Sequence, residues 1–147
     1  MSLALLCPGQ GAQHPAMFDR VRDNAAAREV LDGASEVLGQ DVFAAAGAEA
    51  RFENVLAQPL LCAASLAHWQ ALRTGLPVPG MVAGYSIGEL AAHAIAGSFD
   101  TRSCLALAAR RARHMDAASP ADSGMQAVLG LDPARGQSQC GVHGADI

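Results

Sequence analysis

The residues Gly84-Tyr85-Ser86-Ile87-Gly88 have the form G-x-S-x-G, set between the short apolar run Met81-Val82-Ala83 and the helix-forming Glu89-Leu90-Ala91-Ala92. A serine in that pattern sits on a tight strand-to-helix turn, lifted out of the fold, where Gly84 and Gly88 allow strand and helix to approach closely. The turn aims the amide of Ile87 and the N-terminus of the following helix at any oxyanion forming on an acyl group attached to Ser86. Acyl transfer is the chemistry this geometry serves. Five residues of this form also arise by chance, so the pattern alone leaves open a nucleophile or a plain glycine-flanked turn.

Two further features bear on that choice. Pro8-Gly9-Gln10-Gly11-Ala12-Gln13 follows the apolar run Leu3 to Cys7. In an open parallel sheet, ligands bind outside the carboxyl ends of the strands, so this loop and the serine turn are expected at one rim. A glycine-flanked Gln10 can present its backbone N–H there as a second oxyanion donor beside Ile87. The alternative is a glycine turn carrying a surface glutamine. The second feature is Arg111: at 100° per residue, Cys104, Leu107, Ala108 and Met115 fall within about 60° of it. A guanidinium in an apolar stripe needs a carboxylate, either from the protein, with Glu89 as the candidate, or from a substrate. Its planar fork suits a bidentate grip on a free carboxylate and would favour a dicarboxylic acyl group over acetyl.

The elements that must position these groups read as strands alternating with helices. Leu3 to Cys7 and Met81 to Ala83 have the continuous apolar character of buried parallel strands. Helices are expected from about Asn24 to Leu38, from Gln58-Pro59 to about Thr74-Gly75, from the serine turn to about Ala96, and from about Thr101 to Ala117. Pro59 falls at a first-turn position, where its missing N–H costs nothing. Between Gly39 and Ala57 the periodicity is weak. After a polar linker from Pro120 to Gly124, Met125 to Leu131 reads as a strand and Asp132-Pro133 as the start of a last helix. An α/β fold with a mainly parallel sheet is expected.

The 147 residues are 51% hydrophobic and 16% charged, with a formal net charge of -4. Mild acidity with scattered basic residues argues against nucleic acid or an anionic membrane as the main partner. No apolar segment approaches membrane-spanning length, and no basic leader precedes Leu3, so a cytoplasmic location is expected. Cys7, Cys62, Cys104 and Cys140 are widely spaced and form no C-x-x-C pair, which points to buried, reduced thiols and to no metal site.

Pro8-Gly9-Gln10-Gly11-Ala12-Gln13, Gln58-Pro59, Gly84-Tyr85-Ser86-Ile87-Gly88-Glu89 and Arg111, in this order and spacing, resemble one family. It is that of the malonyl-CoA:acyl carrier protein transacylases, with the acyltransferase domains of polyketide synthases and the epsilon subunit of malonate decarboxylase. The resemblance runs from Leu3 to about Pro133. It implies that Ser86 is acylated by a CoA thioester and passes the acyl group to a phosphopantetheine thiol of an acyl carrier protein. It further implies that the amides of Gln10 and Ile87 form the oxyanion hole, and that Arg111, 25 residues beyond the serine, binds the malonyl carboxylate. No tightly bound cofactor is implied, malonyl-CoA being the substrate. The implied fold is an α/β-hydrolase-like large domain, here residues 1–122, with an inserted ferredoxin-like small subdomain beginning at 123–147.

Departures from the family pattern are informative. Tyr85 stands where members usually carry His, at a position bordering the acyl pocket, and Cys7 replaces a common Phe. Members of the family also continue beyond the length of this chain, and their catalytic His lies in that later part. None of His14, His68, His93, His114 and His143 matches it; His93 lies two helical turns from Ser86, roughly 10 Å away. These 147 residues are therefore expected to be the N-terminal part of a longer acyltransferase, or to be completed by another polypeptide, with open sheet edges if alone. A serine esterase or thioesterase, and a catalytically silent carrier-docking fragment, are the alternatives.

Overall fold

A computed structural model of the chain describes residues 2–120, 130 and 132–142. The elements are β1 (Leu3–Cys7), α1 (Arg28–Leu38), α2 (Val42–Gly47), α3 (Asn54–Leu72), β2 (Pro79–Gly84), α4 (Gly88–Ile95), α5 (Thr101–Ala118) and α6 (Pro133–Val142). The fold is mixed α/β, as expected. β1 and β2 pair in parallel, with Ala4 opposite Met81, Leu5 opposite Val82, Leu6 opposite Ala83 and Cys7 opposite Gly84. Helix α3 is the hub: it packs against α1, α2, α4 and α5, while α4 lies on both strands. The strand expected at Met125 to Leu131, and with it the start of a small subdomain, lies almost wholly outside the described residues.

Local signals account for most boundaries. α1 stops because Gly39 adopts φ 68°, its N–H and that of Gln40 reaching back to the carbonyls of Glu36 and Ser35. Asp100 caps α5 by accepting from Ser103 N at 2.7 Å, and this backbone hydrogen bond holds its carboxyl below the ordinary range. α1 begins four residues later than the periodicity predicts. The Asn24 carboxamide accepts from the amides of Ala26 and Ala27, holding that stretch in successive turns before regular helix begins.

Three expectations are corrected. The weak region between Gly39 and Ala57 contains α2, nucleated by Asp41, whose carboxylate accepts from Phe43 N and Ala44 N. α3 begins at Asn54, not at Gln58, because the Glu53 carbonyl already accepts from Leu56 and Ala57. Pro59 is thus inside the helix, and the carbonyl left without its donor belongs to Val55, a residue at the surface. The strands, finally, are buried on one face only. Leu5, Cys7 and Val82 turn toward the helices, whereas Leu6 is 79% and Met81 60% exposed. The physical reason is that helices cover a single side of this two-stranded sheet, so alternate side chains face outward.

Among the described residues no helix is long and apolar enough to cross a membrane. Cys7, Cys62 and Cys104 are free thiols and buried, as expected.

Candidate active site

The site is built where β2 turns into α4. Ser86 takes φ 53°, the only positive φ at a non-glycine among the described residues. For an L-residue this conformation costs about 1–2 kcal/mol, and it lifts an exposed serine to the rim of the sheet. The flanking glycines make the turn possible. A Cβ on Gly84 would lie 2.3 Å from the Gly88 backbone, and one on Gly88 would lie 2.3 Å from the Cys7 carbonyl oxygen and 2.7 Å from that of Pro8. No side chain fits at either position, so G-x-S-x-G here records backbone in contact with backbone.

The same contacts bring the Gln10 loop to the serine turn. Tyr85 N donates to the Cys7 carbonyl at 3.1 Å, joining the ends of β1 and β2. Ile87 is fully buried and stands at the N-cap position just before α4, whereas its amide, like that of Gln10, has no hydrogen-bond acceptor among the described residues. Beneath it, the Cys62 thiol donates to the Ile87 carbonyl at 3.7 Å. A hydrogen bond with Cys104, together with burial, pushes the Cys62 thiol far up, so it remains a neutral donor.

Arg111 reaches this turn from α5. It is half-buried, with Cys104 and Ala108 buried on its side of the helix and Leu107 left partly exposed. Its Nη2 lies 3.3 Å from Ser86 Oγ and its Nη1 donates to Gln58 Oε1 at 2.8 Å. The ion pair with Glu89 that the sequence left open is absent among the described residues: the guanidinium is held by an amide oxygen and by the serine.

Gln58 is the residue whose role the sequence did not disclose. It is 0% exposed, and its carboxamide NH2 donates to Met115 Sδ at 3.2 Å and to Gln10 Oε1 at 3.4 Å. Gln10 Nε2 in turn donates to Asn54 Oδ1 at 3.0 Å, and Asn54 Nδ2 to Asp116 Oδ1 at 2.6 Å. A continuous polar chain therefore runs from Ser86 through Arg111, Gln58, Gln10 and Asn54 to Asp116. The available signal was the pair Gln58-Pro59 beside an otherwise apolar helix stretch. A polar side chain amid Leu60, Leu61 and Ala57 must meet a partner.

Each site residue expected from the sequence thus has a place. Ser86, Ile87, Gln10 and Arg111 converge, and Tyr85 stands beside them with its ring against Gly9. The histidines do not converge on it. His68 Nδ1 bonds the Ala64 carbonyl, His93 Nδ1 bonds Ser98 Oγ, His14 and His114 are exposed, and His143 lies outside the described residues. No group of three or more His, Cys, Asp and Glu among the described residues could hold a metal ion.

What this arrangement can do is bind and polarise a carbonyl at Ser86, with a fixed guanidinium alongside for a carboxylate. Known proteins of similar sequence and structure are transacylases or malonyltransferases by name. A malonyl CoA-acyl carrier protein transacylase of Mycobacterium tuberculosis is 38% identical over 137 residues, 88% of this chain and 45% of the relative. The solved acyl-carrier-protein S-malonyltransferase of Burkholderia pseudomallei superposes with a TM-score of 0.81 at 37% identity, over 97% of this chain and 48% of that one. A malonyl-transacylase solved in complex with a type II PKS acyl-carrier protein matches at TM-score 0.74 and 32% identity, over 82% of this chain and 40% of that one. The chain spans just under half the length of the curated relatives it matches. The acyl transferase domain family matches residues 4–142, nearly the whole of the chain, and the chain belongs to that family.

Proposed function

We propose that this chain is part of an acyltransferase that moves a malonyl group from CoA to the phosphopantetheine thiol of an acyl carrier protein through an acyl-Ser86 intermediate. The observation that carries the reading is the placement of Arg111: one guanidinium nitrogen lies 3.3 Å from the nucleophile's oxygen while the other is fixed by buried Gln58. A malonyl thioester whose carbonyl carbon sits at Ser86 Oγ would place its free carboxylate within reach of that guanidinium.

Ser86 Oγ attacks the thioester carbonyl, the carbonyl oxygen takes the negative charge, and the amides of Gln10 and Ile87 stabilise it. Collapse of this intermediate expels the CoA thiolate, which takes up a proton, and leaves malonyl on Ser86. Attack by the carrier's thiol reverses the sequence. A serine at its ordinary pKa needs a base for its proton. The proposed base is a histidine from the portion of the acyltransferase fold that this chain does not span, supplied by the same or by another polypeptide. Tyr85 borders the acyl pocket and bears on which acyl groups enter. The expected frame is α/β-hydrolase-like with a ferredoxin-like small subdomain, and the expected location the cytoplasm.

One observation favours a second reading, a carrier-docking unit silent by itself: among the described residues no histidine bonds Ser86. Intact mass before and after mixing with malonyl-CoA separates the two. Acyl transfer predicts a malonyl adduct that Ser86→Ala abolishes. Binding of malonyl-CoA without an adduct supports the silent unit, and an adduct that survives in Ser86→Ala contradicts Ser86 as nucleophile.

A further inference from the structure

Tyr85 takes no part in the polar chain. Its side chain is 76% exposed and its hydroxyl has no hydrogen-bond partner among the described residues. Its ring nevertheless makes one close contact: a Cβ built on Gly9 would lie 2.7 Å from Tyr85 Cδ1, 3.3 Å from Cε1 and 3.0 Å from the Tyr85 carbonyl oxygen. The φ of Gly9 is not in the left-handed region, so the neighbouring tyrosine, and not the backbone conformation, excludes a side chain there. The first turn of α4 approaches the same segment, Gly88 lying close to the carbonyls of Cys7 and Pro8. Pro8-Gly9 therefore meets both an aromatic ring and the first turn of α4.

The next residue is Gln10. It stands between Gly9 and Gly11, the latter at φ 123°, and its amide donates to nothing among the described residues. Its side chain is tied to Asn54 and Gln58, but a side-chain tie leaves the Gly9–Gln10 peptide free to rotate about the glycine. A ring lying on Gly9 removes that freedom.

We propose that Tyr85 is a positioning residue whose ring, independently of its hydroxyl, holds Gly9 and thereby fixes the direction of the Gln10 amide. The catalytic consequence rests on the reading above, in which that amide is an oxyanion donor. An exposed tyrosine next to a nucleophile then has a task that any planar ring could perform and that a small side chain could not.

The test uses the full chain carrying Tyr85→Phe, Tyr85→Ala, Gly9→Ala and the Gly9→Ala/Tyr85→Ala double variant. Because the side chain is mostly exposed, Tyr85→Ala is expected to fold, and its amide spectrum checks this directly. The 15N order parameter of the Gln10 amide should stay near the rigid value of about 0.85 in the wild type and in Tyr85→Phe, and fall toward about 0.6 in Tyr85→Ala. Acylation of Ser86 by malonyl-CoA should slow about 10-fold in Tyr85→Ala, a fraction of the effect of deleting an oxyanion donor, and hold near the wild-type rate in Tyr85→Phe. Gly9→Ala should be more harmful alone than in the double variant, where the ring it strikes is gone.

An unchanged order parameter in Tyr85→Ala, or a loss of order in Tyr85→Phe equal to that in Tyr85→Ala, overturns the clamp. Reduced order with an unchanged acylation rate overturns its catalytic consequence. Absence of acylation in the wild type when the remainder of the acyltransferase fold, with its histidine, is supplied, and with the amide ordered by the ring, overturns the acyl-transfer reading and leaves the clamp standing.

Discussion

The two ends of helix α3 are opposite in character. At its N-terminal end, Gln58 is buried yet bonded to Gln10, Arg111 and Met115, groups brought in from a loop and another helix. Toward its C-terminal end, a cavity of about 290 Å³ is lined by groups that include Leu5, Leu6, Ser65, His68, Trp69 and Leu72. Two of its polar members bond carbonyls of the helix itself, Ser65 Oγ that of Leu61 and His68 Nδ1 that of Ala64. The first place is polar and connected by hydrogen bonds, and the second is roomy and largely apolar. On the proposed reading, chemistry follows the polar groups that converge on a strained turn, and empty volume does not mark it.

The largest effect is expected at Gly88. Gly88→Ala drives a methyl into the Cys7 carbonyl, rigid backbone that cannot yield, and should cost about 3 kcal/mol or more. Denaturant titration with an unchanged slope would measure it. Gln58→Leu leaves Arg111 Nη1 without its acceptor in a half-buried site, an expected loss of about 1–3 kcal/mol. The same variant should raise half-saturation for malonyl-CoA about 10-fold, since the guanidinium is no longer aimed. If Gln58→Leu leaves both quantities unchanged, the polar chain is ornamental and the contrast between the two ends of α3 fails.

Smaller effects sharpen the contrast. Gly47→Ala, at a helical glycine whose Cβ would meet nothing within 4 Å, should stabilise the chain by about 0.5 kcal/mol, opposite in sign to Gly88→Ala. Leu72→Ala, at the mouth of the apolar cavity and 54% exposed, should change stability by no more than about 0.5 kcal/mol. It should also leave the rate of Ser86 acylation at the wild-type value, measured by the appearance of the malonyl adduct.

What could be read from the sequence was local. Ser86 between Gly84 and Gly88 announced a turn that only close backbone contact explains, and Leu3 to Cys7 and the stop at Gly39 were equally plain because each is set by neighbouring residues. The distribution of Gln58's hydrogen bonds was not legible, since its partners lie 48, 53 and 57 residues away in the chain. α2 escaped because its six residues are too few to show periodicity and its signal is a single capping aspartate. The outward turn of Leu6 and Met81 escaped because an apolar run does not reveal whether one face of a strand or both are covered. Arg111 is the intermediate case: its place on an apolar stripe was legible, and its partner, an amide in place of a carboxylate, was not.

The central claim is that Ser86 and Arg111 form one site, the second reading the carboxylate of the group the first accepts. Initial rates of Ser86 acylation with malonyl-CoA and with acetyl-CoA, in the wild type and in Arg111→Ala, test it most directly. A wild-type preference for malonyl is expected, which Arg111→Ala reduces by about 10- to 100-fold, the worth of charge-assisted hydrogen bonds, while acetyl transfer holds or rises. Malonyl and acetyl rates falling by the same factor would contradict it, leaving Arg111 as support for the serine and not as the reader of the acyl group.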